Sequence, residues 1–433
     1  MDKKTTNKIA VIVVVIIIAF AAVSYFALNP NKETKADIAS VLPVFGNANN
    51  DYVIDDEDLA IVQDIIDGKK DFKDYPLANA YHKDDVIDQK DLDQIRSMID
   101  KTATSVWHIN KIGTDQDVAK TEWPVKAAMA TATPNVAVFI AMLHIADKFK
   151  AISYSKSSVP DTLLIPEFEG MKSIGGSTSI TYDQAATYIK DGCTAVLTST
   201  NASYMSNYRD MEDHGVDVIR VDATGVGMGD FLGSVLMLAY LFDANDNVEA
   251  ICKFCEDLED DVEEKLSKVT SRPIAAASNT TGSLTVNSSD YAKLLEVAGA
   301  VLPSDSRFNG TSSIKVASAD WLYDVQIDKI VNIRTGGGIG GSWYEGTLSY
   351  DAVKSVFDVF SKMKAYENNE VYIIDGELPI PLRLIYAAEV LFPEIFEEGY
   401  ADGIHQQFCD RIYGEGRIDV SSLTFIYEVA DYK

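Results

Sequence analysis

Oxygen-bearing side chains recur at short, regular spacings directly after Gly46. They occupy the first, third, fifth, ninth and twelfth positions of a loop in which the seventh position would offer a backbone carbonyl. The residues are Asn47, Asn49, Asp51, Val53, Asp55 and Asp58. Because Ca²⁺ takes about six to eight oxygen ligands at this spacing, the pattern predicts a calcium loop.

A second copy follows, since Asp85 to Leu92 repeats Tyr52 to Leu59. Its acidic candidates are Asp84, Asp88 and Asp91, but its first and third positions are read as Ala80 and His82. The tandem over 44–101 resembles a dockerin module, which implies Ca²⁺ in loop one and a cohesin-like partner. An acidic helical pair without an ion, acting as a spacer, is the alternative interpretation.

The first part of the chain predicts a membrane anchor. Three lysines within the first eight residues precede an uncharged run from Ile9 to Leu28, long enough to span a bilayer as a helix. The lysines place the N-terminus inside and the body outside the cytoplasm. Residues 1–28 are therefore expected to be a single-pass anchor, with a cleaved signal peptide as the alternative, and 29–43 a linker.

Composition narrows the classes of partner. The net charge of -28 disfavours nucleic acid, because phosphate binding requires basic surfaces. A hydrophobic content of 47% predicts well-packed folded cores, and the acidity suits an extracellular or a salt-adapted protein. Cys252 and Cys255 form a C-x-x-C without a second pair, so we expect packing rather than zinc or redox chemistry.

The sequence predicts strands alternating with helices both before and after one long helix, and these elements must position any site. That helix, predicted over Asn247 to Lys268, has an apolar stripe at helical period and is otherwise strongly acidic. Strands alternating with helices predict parallel sheets. We therefore expect an α/β protein with two Rossmann-like lobes, 105–246 and 269–433, joined by the helix 247–268.

Several stretches resemble the substrate-binding proteins of ABC importers for ferric siderophores, haem and cobalamin. The resemblance lies in Lys172 to Gly176 with the Thr181-capped helix, in 318–333, and in Val371 to Gly376 followed by Leu382 and Arg383. It covers about 105–420. It implies a non-enzymatic extracellular protein that delivers a metal chelate to an ABC permease. One departure is 126–130, where the family has a Val-rich strand.

In such a protein the ligand lies in a cleft beyond the carboxyl ends of the strands. The expected ligand-binding residues are Asn135, Tyr154, Lys156, Thr200, Asn201 and Tyr204 in the first lobe, and Ser278, Asn279, Arg334, Thr335, Trp343 and Tyr344 in the second. Arg334 would meet carboxylate or catecholate oxygens, and the aromatic rings would stack on a flat macrocycle. The glycines from Gly336 to Gly341 predict a mobile cleft loop rather than a phosphate loop.

Docking to a permease requires a contact on each lobe. The resemblance assigns this role to Asp183, in the first turn of the Thr181-capped helix, and to Asp320, in a short helix predicted over Ala319 to Val325. Favourable placement of an acid near a helix N-terminus explains both residues equally well.

Two other classes of function remain open at this stage. A surface adhesion or assembly protein would use the dockerin-like module and would have a closed body. A nitrogenase-like two-lobed oxidoreductase would need cysteine ligands for a cluster, and Cys193 with Cys409 lacks the spacing.

Overall fold

The structure, a computed structural model, describes residues 41–433 except 83, 85, 132–133, 155–161, 177, 224, 280–281, 336–343 and 345–347. Ser40–Lys433 form one compact unit. The predicted anchor lies outside the described residues. Within them, no helix combines the length and the apolar character needed to cross a membrane.

The N-terminal module consists of two helices, α1 (Asp56–Ile66) and α2 (Gln89–Ile99). Each begins with a reciprocal capping box made by two aspartates, Asp55 with Asp58 and Asp88 with Asp91. The helices share a small apolar core of their own. The module nevertheless continues into the body, because its residues Leu42, Val44 and Met98 belong to the main core of the protein.

A β-hairpin follows, formed by β1 (Ser105–Ile112) and β2 (Asp115–Glu122). The polar sequence from Thr102 to Glu122 predicts irregular chain, and that prediction was wrong. The strand alternation is obscured because the buried side of β1 carries His108 and Asn110 as well as Val106. Asn110 donates to the Val218 carbonyl at 2.8 Å, so the first lobe supplies the partners that let polar residues face inward.

The first lobe has a four-stranded parallel sheet in the order β4-β3-β5-β6. Its strands are β3 (Ala128–Thr131), β4 (Phe149–Ser153), β5 (Ala195–Ser199) and β6 (Asp217–Val221), and its helices are α3 (Pro134–Met142), α4 (Tyr182–Lys190), α5 (Tyr208–Glu212) and α6 (Met228–Phe242). Strand β3 is short and shifts register at Ala128/Met129, in line with the expected irregularity there. The sequence from Asn201 to His214 predicts one continuous helix, whereas the structure forms an α-helix only over Tyr208–Glu212.

The long helix between the halves is α7 (Val248–Leu266), close to its predicted bounds. It contacts α6 on one side and the C-terminal part of the chain on the other. The Asn247 side chain joins both, donating to the carbonyls of Met142 at 2.6 Å and Ile412 at 3.1 Å. Cys255 is buried and Cys252 half-buried, and both are free thiols, as the packing interpretation expected.

The second lobe has the strand order β7-β8-β9-β10, with β10 antiparallel at the edge. Its strands are β7 (Ala275–Ser278), β8 (Lys329–Arg334), β9 (Val371–Asp375) and β10 (Ile426–Glu428), and its helices are α8 (Asp290–Val297), α9 (Tyr350–Val359), α10 (Lys364–Glu367), α11 (Ile380–Leu391) and α12 (Tyr400–Phe408). A single π-helical turn, Cys409–Tyr413, extends α12. The helix predicted over Ala319 to Val325 is instead a 3-10 turn, Asp320–Asp324.

Candidate functional site

Polar side chains are buried where the parallel strands of the second lobe end. Ser278 ends β7, Asn332 lies two residues before the end of β8, and Asp375 ends β9. Because parallel strands end at one edge of their sheet, these three residues line the same edge. Buried polar groups normally find hydrogen-bond partners, so groups here that lack them indicate a place for a ligand or water.

Asn332 organises the first part of this edge. Its Nδ2 donates to Ser278 Oγ at 2.6 Å and to the Asn279 carbonyl at 2.5 Å. Its Oδ1 is buried and accepts no hydrogen bond. The amide thus holds the ends of β7 and β8 together and keeps one acceptor unused.

Asp375 brings a carboxylate to the edge. Its Oδ1 accepts the backbone N–H of Glu377 at 2.8 Å, whereas its Oδ2 is buried without a partner. Burial, followed by the neighbouring charge of Glu377, raises the pKa of Asp375 well above its usual value. The group is therefore poised to take a proton or a hydrogen-bond donor.

Arg383 connects this edge to the first lobe. It lies on α11 with 2% of its surface exposed, and its Nη2 faces the carbonyls of Ala223 at 3.5 Å and Gly225 at 3.3 Å. Its Nε is buried and donates to no residue that the structure describes. Burial lowers the pKa of Arg383, and the carboxylate of Asp222, beyond the end of β6, partly opposes that effect.

Asp222 provides a buried carboxylate from the first lobe, as Asp375 does from the second. Its Oδ1 accepts the Gly225 N–H at 2.7 Å, and its backbone N–H donates to Ser234 Oγ at 2.9 Å. Burial raises the pKa of Asp222. A β-carbon at Gly225 would lie 2.4 Å from the Asp222 carboxylate, so this turn requires glycine.

Arg334 completes the cluster as the last residue of β8, in register with Asp375 across the β8–β9 pair. It is half-buried, and its Nε is another buried donor without a partner. The Arg383 guanidinium thus lies near the carboxylates of Asp222 and Asp375, which come from different lobes, and Arg334 ends the strand beside Asp375. Among the described residues, Arg383, Arg334 and Asp375 each keep a buried polar atom without a hydrogen-bond partner. Such a site can hold a polar solute that carries both anionic oxygens and hydrogen-bond donors.

The structure brings some predicted residues together and places others elsewhere. Ser278, Asn279, Arg334 and Thr335 lie at the second-lobe edge, where the Tyr291 hydroxyl and Thr335 Oγ1 are 3.3 Å apart. On the first lobe, Thr200 is buried at the end of β5, Tyr204 and Tyr154 are half-buried, and Asn201 is exposed. Lys156, Trp343 and the Asn135 side chain lie outside the described residues.

Sequence reasoning missed Asn332, Asp375, Arg383 and Asp222 as site residues. Asp375 and Arg383 fall inside a stretch that we used only to support the family resemblance. Asp222 follows β6 directly, as expected of a cleft residue, so its position after a strand was the available signal.

Tyr344 was expected in the cleft, and the structure instead buries it in the second lobe, with 4% of its surface exposed. Its hydroxyl lies 2.8 Å from His405 Nε2, and His405 Nδ1 lies 2.9 Å from the Tyr386 hydroxyl. Tyr386 donates to Asp402 Oδ1 at 2.7 Å, so His405 donates through Nδ1 and accepts through Nε2. The Tyr344 ring is thereby unable to stack on a solute in this conformation.

This network makes stability depend on pH. Burial lowers the pKa of His405 from 6.5 to about 3, so between these values only the unfolded chain takes up the proton. The contribution of neutral His405 to the free energy of unfolding is fully present above pH 6.5 and is lost as the pH falls. Between pH 7 and pH 5 the loss is about 2 kcal/mol. Urea unfolding at pH 7 and pH 5 measures this loss in the wild type and in His405→Gln. The free energy of unfolding should fall by about 2 kcal/mol less in the variant. An equal fall in both proteins would contradict the prediction.

Solved structures resemble this fold. A TroA-like periplasmic binding protein, FepB from Veillonella parvula, matches with a TM-score of 0.55 and 16% identity over 71% of this chain and 97% of its own. The chain has the fold of a TroA-like periplasmic binding protein.

Two further binding-protein structures support the same assignment of fold. Helicobacter pylori CeuE, with Ni(II) bound, has a TM-score of 0.52 and 15% identity over 70% of this chain and 95% of its own. The molybdate-binding MolA of Haemophilus influenzae has a TM-score of 0.51 and 13% identity over 68% of this chain and 95% of its own. No protein-family model and no curated protein sequence matches the chain.

In this binding-protein fold the end of β9 has no space for a side chain at Gly376. A β-carbon there would lie 2.8 Å from the methyl groups of Ile333 and Thr335 and 2.9 Å from the Arg334 carbonyl. Gly376→Ala should therefore destabilise the protein by about 1–3 kcal/mol, because backbone must move. Gly403→Ala, in α12 with open space around it, is the control and should be neutral or stabilising. Equal unfolding midpoints for the two variants would contradict the close packing.

The two acids expected to dock on a permease lie on different lobes of the binding-protein fold. Asp183 is exposed in the first turn of α4, and Asp320 is exposed at the start of its 3-10 turn. The α4 helix begins with a capping box between Thr181 and Gln184, so the N-terminus is satisfied without Asp183. Both side chains are accessible to a partner.

The two loops of the module form corresponding hydrogen bonds, but loop two is one residue longer than loop one. Asn47 Nδ2 donates to the Asp51 carbonyl at 2.9 Å, and Asn79 Nδ2 donates to the Asp84 carbonyl at 2.6 Å. Asn79, not Ala80, therefore corresponds to Asn47. The following positive-φ residues, Asn50 and His82, also correspond. The extra residue of loop two lies between His82 and Asp84, which corrects the positions predicted for that loop.

The donor sets of the two loops suit calcium unequally. In loop one, Asp58 accepts the backbone N–H groups of Asn49 at 3.0 Å and Asp55 at 2.8 Å, and burial raises its pKa to about 6. Asn47 and Asn49 add oxygens beside it, which fits a hard cation. Loop two has Tyr81 in the position of Asn49 and does not fit. Among the described residues, no group of three His, Cys, Asp or Glu is arranged to hold a metal.

Proposed function

We propose that this protein captures a small solute between its two lobes, outside the cytoplasm, and delivers it to an ABC permease. The observation that supports this most strongly is the cluster of Arg383, Asp222, Asp375 and Arg334. The cluster draws on both lobes, is largely buried, and leaves donors and acceptors unpaired. A fold shared with periplasmic binding proteins supplies the architecture for capture and release.

The chemistry of the cluster favours a solute with anionic oxygens, such as a ferric siderophore, haem, a corrinoid or an oxyanion. Arginine recognises carboxylate and other oxyanions through paired N–H donors. The structural neighbours that carry Ni(II) or molybdate make a metal-containing solute a reasonable choice for the first assays. A bare cation as the transported solute has less support, because no group of three His, Cys, Asp or Glu residues in the described part of the chain is arranged to hold one.

The test is thermal unfolding of the purified protein with ferric siderophores, haem, corrinoids and molybdate in turn. A solute present at about 100 times its Kd stabilises the folded state by about 2.7 kcal/mol, which a melting curve detects readily. We expect one class to raise the Tm. The absence of a shift with every class would contradict the proposal.

Charge reversal at Asp183 and Asp320 tests delivery separately from capture. In cells that depend on the solute, Asp183→Lys and Asp320→Lys should each reduce uptake several-fold, because like charges repel at a basic permease surface. Solute affinity of the purified variants should remain unchanged. Asp213→Lys and Glu296→Lys alter exposed acids of the same two lobes and serve as controls. Equal uptake by all four variants would remove Asp183 and Asp320 from docking.

We also infer that loop one of the module binds Ca²⁺ through Asn47, Asn49, Asp51 and Asp58, with the Val53 carbonyl. Calcium titration of the whole protein, followed by isothermal calorimetry, should give one site, and Asp51→Ala should remove it. Asp84→Ala, in loop two, is the matched control and should leave binding intact. A cohesin-like partner for the module stays a prediction.

A further inference from the structure

A second cavity, of about 620 Å³, lies between the N-terminal module and the helices α6 and α7. Its apolar lining comes from Leu42 and Met98 of the module and from Trp123, Leu236, Tyr240 and Val248 of the body. None of the residues of the proposed solute site lines it. Its volume is that of pockets that hold small organic molecules.

An aromatic pair forms part of the cavity lining. The rings of Trp123 and Tyr240 stack with centroids 5.4 Å apart and planes inclined by 17°, and Trp123 Nε1 donates to the Tyr240 carbonyl at 2.7 Å. The Tyr240 hydroxyl is buried and has no hydrogen-bond partner. The Tyr240 ring thus forms part of the cavity wall, whereas its hydroxyl lies behind that surface.

The polar groups around the cavity carry a surplus of negative charge. Lys101 pairs with Asp243 at 2.7 Å, and Lys253 pairs with Asp257 at 2.8 Å, so each lysine already has an acidic partner. Glu249 and Glu256, two turns apart on α7, form no ion pair with any residue that the structure describes. Glu256 only accepts the Tyr52 hydroxyl, at 3.3 Å. The lining thus has three carboxylates, those of Asp243, Glu249 and Glu256, and two ammonium groups, those of Lys101 and Lys253, which leaves an excess of one negative charge.

We propose that this cavity binds a small molecule with an apolar, partly aromatic body and a cationic head. The body replaces water against the more exposed apolar residues of the lining, Val53, Ile54 and Val248, while the head is attracted to Glu249 and Glu256 and to the aromatic pair. The occupant touches the module and α7 together, so its binding strengthens the junction between them. This site is independent of the proposed solute capture.

Three probes with one body and different heads test the proposal on the full chain: 4-phenylbutyl-trimethylammonium, 4-phenylbutanol and 4-phenylbutanesulfonate. By calorimetry, the ammonium should bind at least tenfold more tightly than the sulfonate, with the alcohol between them. Glu249→Gln combined with Glu256→Gln should weaken the ammonium at least fivefold and leave the alcohol unchanged. Equal affinities for the three heads, or no binding of the ammonium at millimolar concentration, would overturn the proposal.

The location has its own readout, because Cys252 lines the cavity and is half-buried, whereas Cys193, Cys255 and Cys409 are buried. The ammonium probe should slow alkylation of Cys252 at least threefold at saturation. Val248→Trp, which fills the cavity, should abolish binding. If that variant does not fold, protection of Cys252 decides alone, and binding without protection would place the probe elsewhere and refute this site.

Discussion

Arg383→Met should weaken capture of the solute by roughly 2–5 kcal/mol, more than any other single change in the site. The guanidinium is buried at the junction of the lobes and keeps an unused Nε donor, so a solute that supplies the acceptor loses a desolvated, charge-assisted bond. Calorimetry with the solute class that raises the Tm measures the effect. Arg334→Ala, at a less buried guanidinium, should cost less, about 1.5–3 kcal/mol.

The same variant separates binding from folding. Removing Arg383 leaves the carbonyls of Ala223 and Gly225 and the nearby carboxylates without their donor, so the unfolding midpoint of Arg383→Met should fall, and the affinity is to be compared at a temperature where the variant is fully folded. Arg411→Met removes an exposed arginine and is the control for loss of a positive charge. Unchanged solute affinity in Arg383→Met would remove this residue from the site.

Leu42→Ala should destabilise the whole protein by about 2–5 kcal/mol, although Leu42 belongs to the N-terminal module and lies in neither lobe. Its side chain is 1% exposed and packs in the main core with Trp123 and Val125. The chain beside it also pairs with the hairpin, since Phe45 N–H donates to the Trp107 carbonyl at 2.9 Å. The module and body should therefore unfold in one transition.

Urea unfolding followed by far-UV circular dichroism and by tryptophan fluorescence checks this prediction. Both signals should move together to lower urea in Leu42→Ala. Val86→Ala, at a residue of the module that is 58% exposed, should leave the curve unchanged. Two separate transitions, with only one of them affected, would show that the module is an independent unit.

This integration changes the view of the module that the sequence suggested. From the sequence, the dockerin-like tandem resembles a separate module that could be removed. Residues 105–433 would then form a body that folds without it. The ion pair Lys101–Asp243 and the contact of Tyr52 with Glu256 on α7 instead join the module to the helix between the lobes. Truncation would expose Val44, Met98 and their neighbours to water.

The periodic parts of the chain were determined by the sequence itself. Helix α7 was predicted to within two residues at each end, because its apolar stripe repeats at helical period. The sequence predicts strands over Phe149 to Ser153 and Ala195 to Ser199, and β4 and β5 have these bounds, because short, mainly apolar runs between turn signals have few alternatives. Arg334 was predicted at a strand end, and the structure places it there.

Only the tertiary structure decided the elements whose pattern depends on distant partners. The β1–β2 hairpin carries His108 inward because Asp217, far along the chain, provides an acceptor 3.0 Å from its ring. Asn79 replaced Ala80 as the start of loop two because hydrogen bonds, not letter spacing, define the loop. The periodicity of a short stretch of sequence contains no information about such distant partners.

The composition of the site was decided in the same way. Tyr344 follows a strand by enough residues to reach the cleft, yet His405 and Phe425 hold it in the core. Arg383 sits on a helix of mostly apolar residues, and only the approach of the first-lobe carbonyls makes it a site residue. Local sequence determines which segments form helices and strands, whereas burial of a charge depends on what the fold brings opposite it.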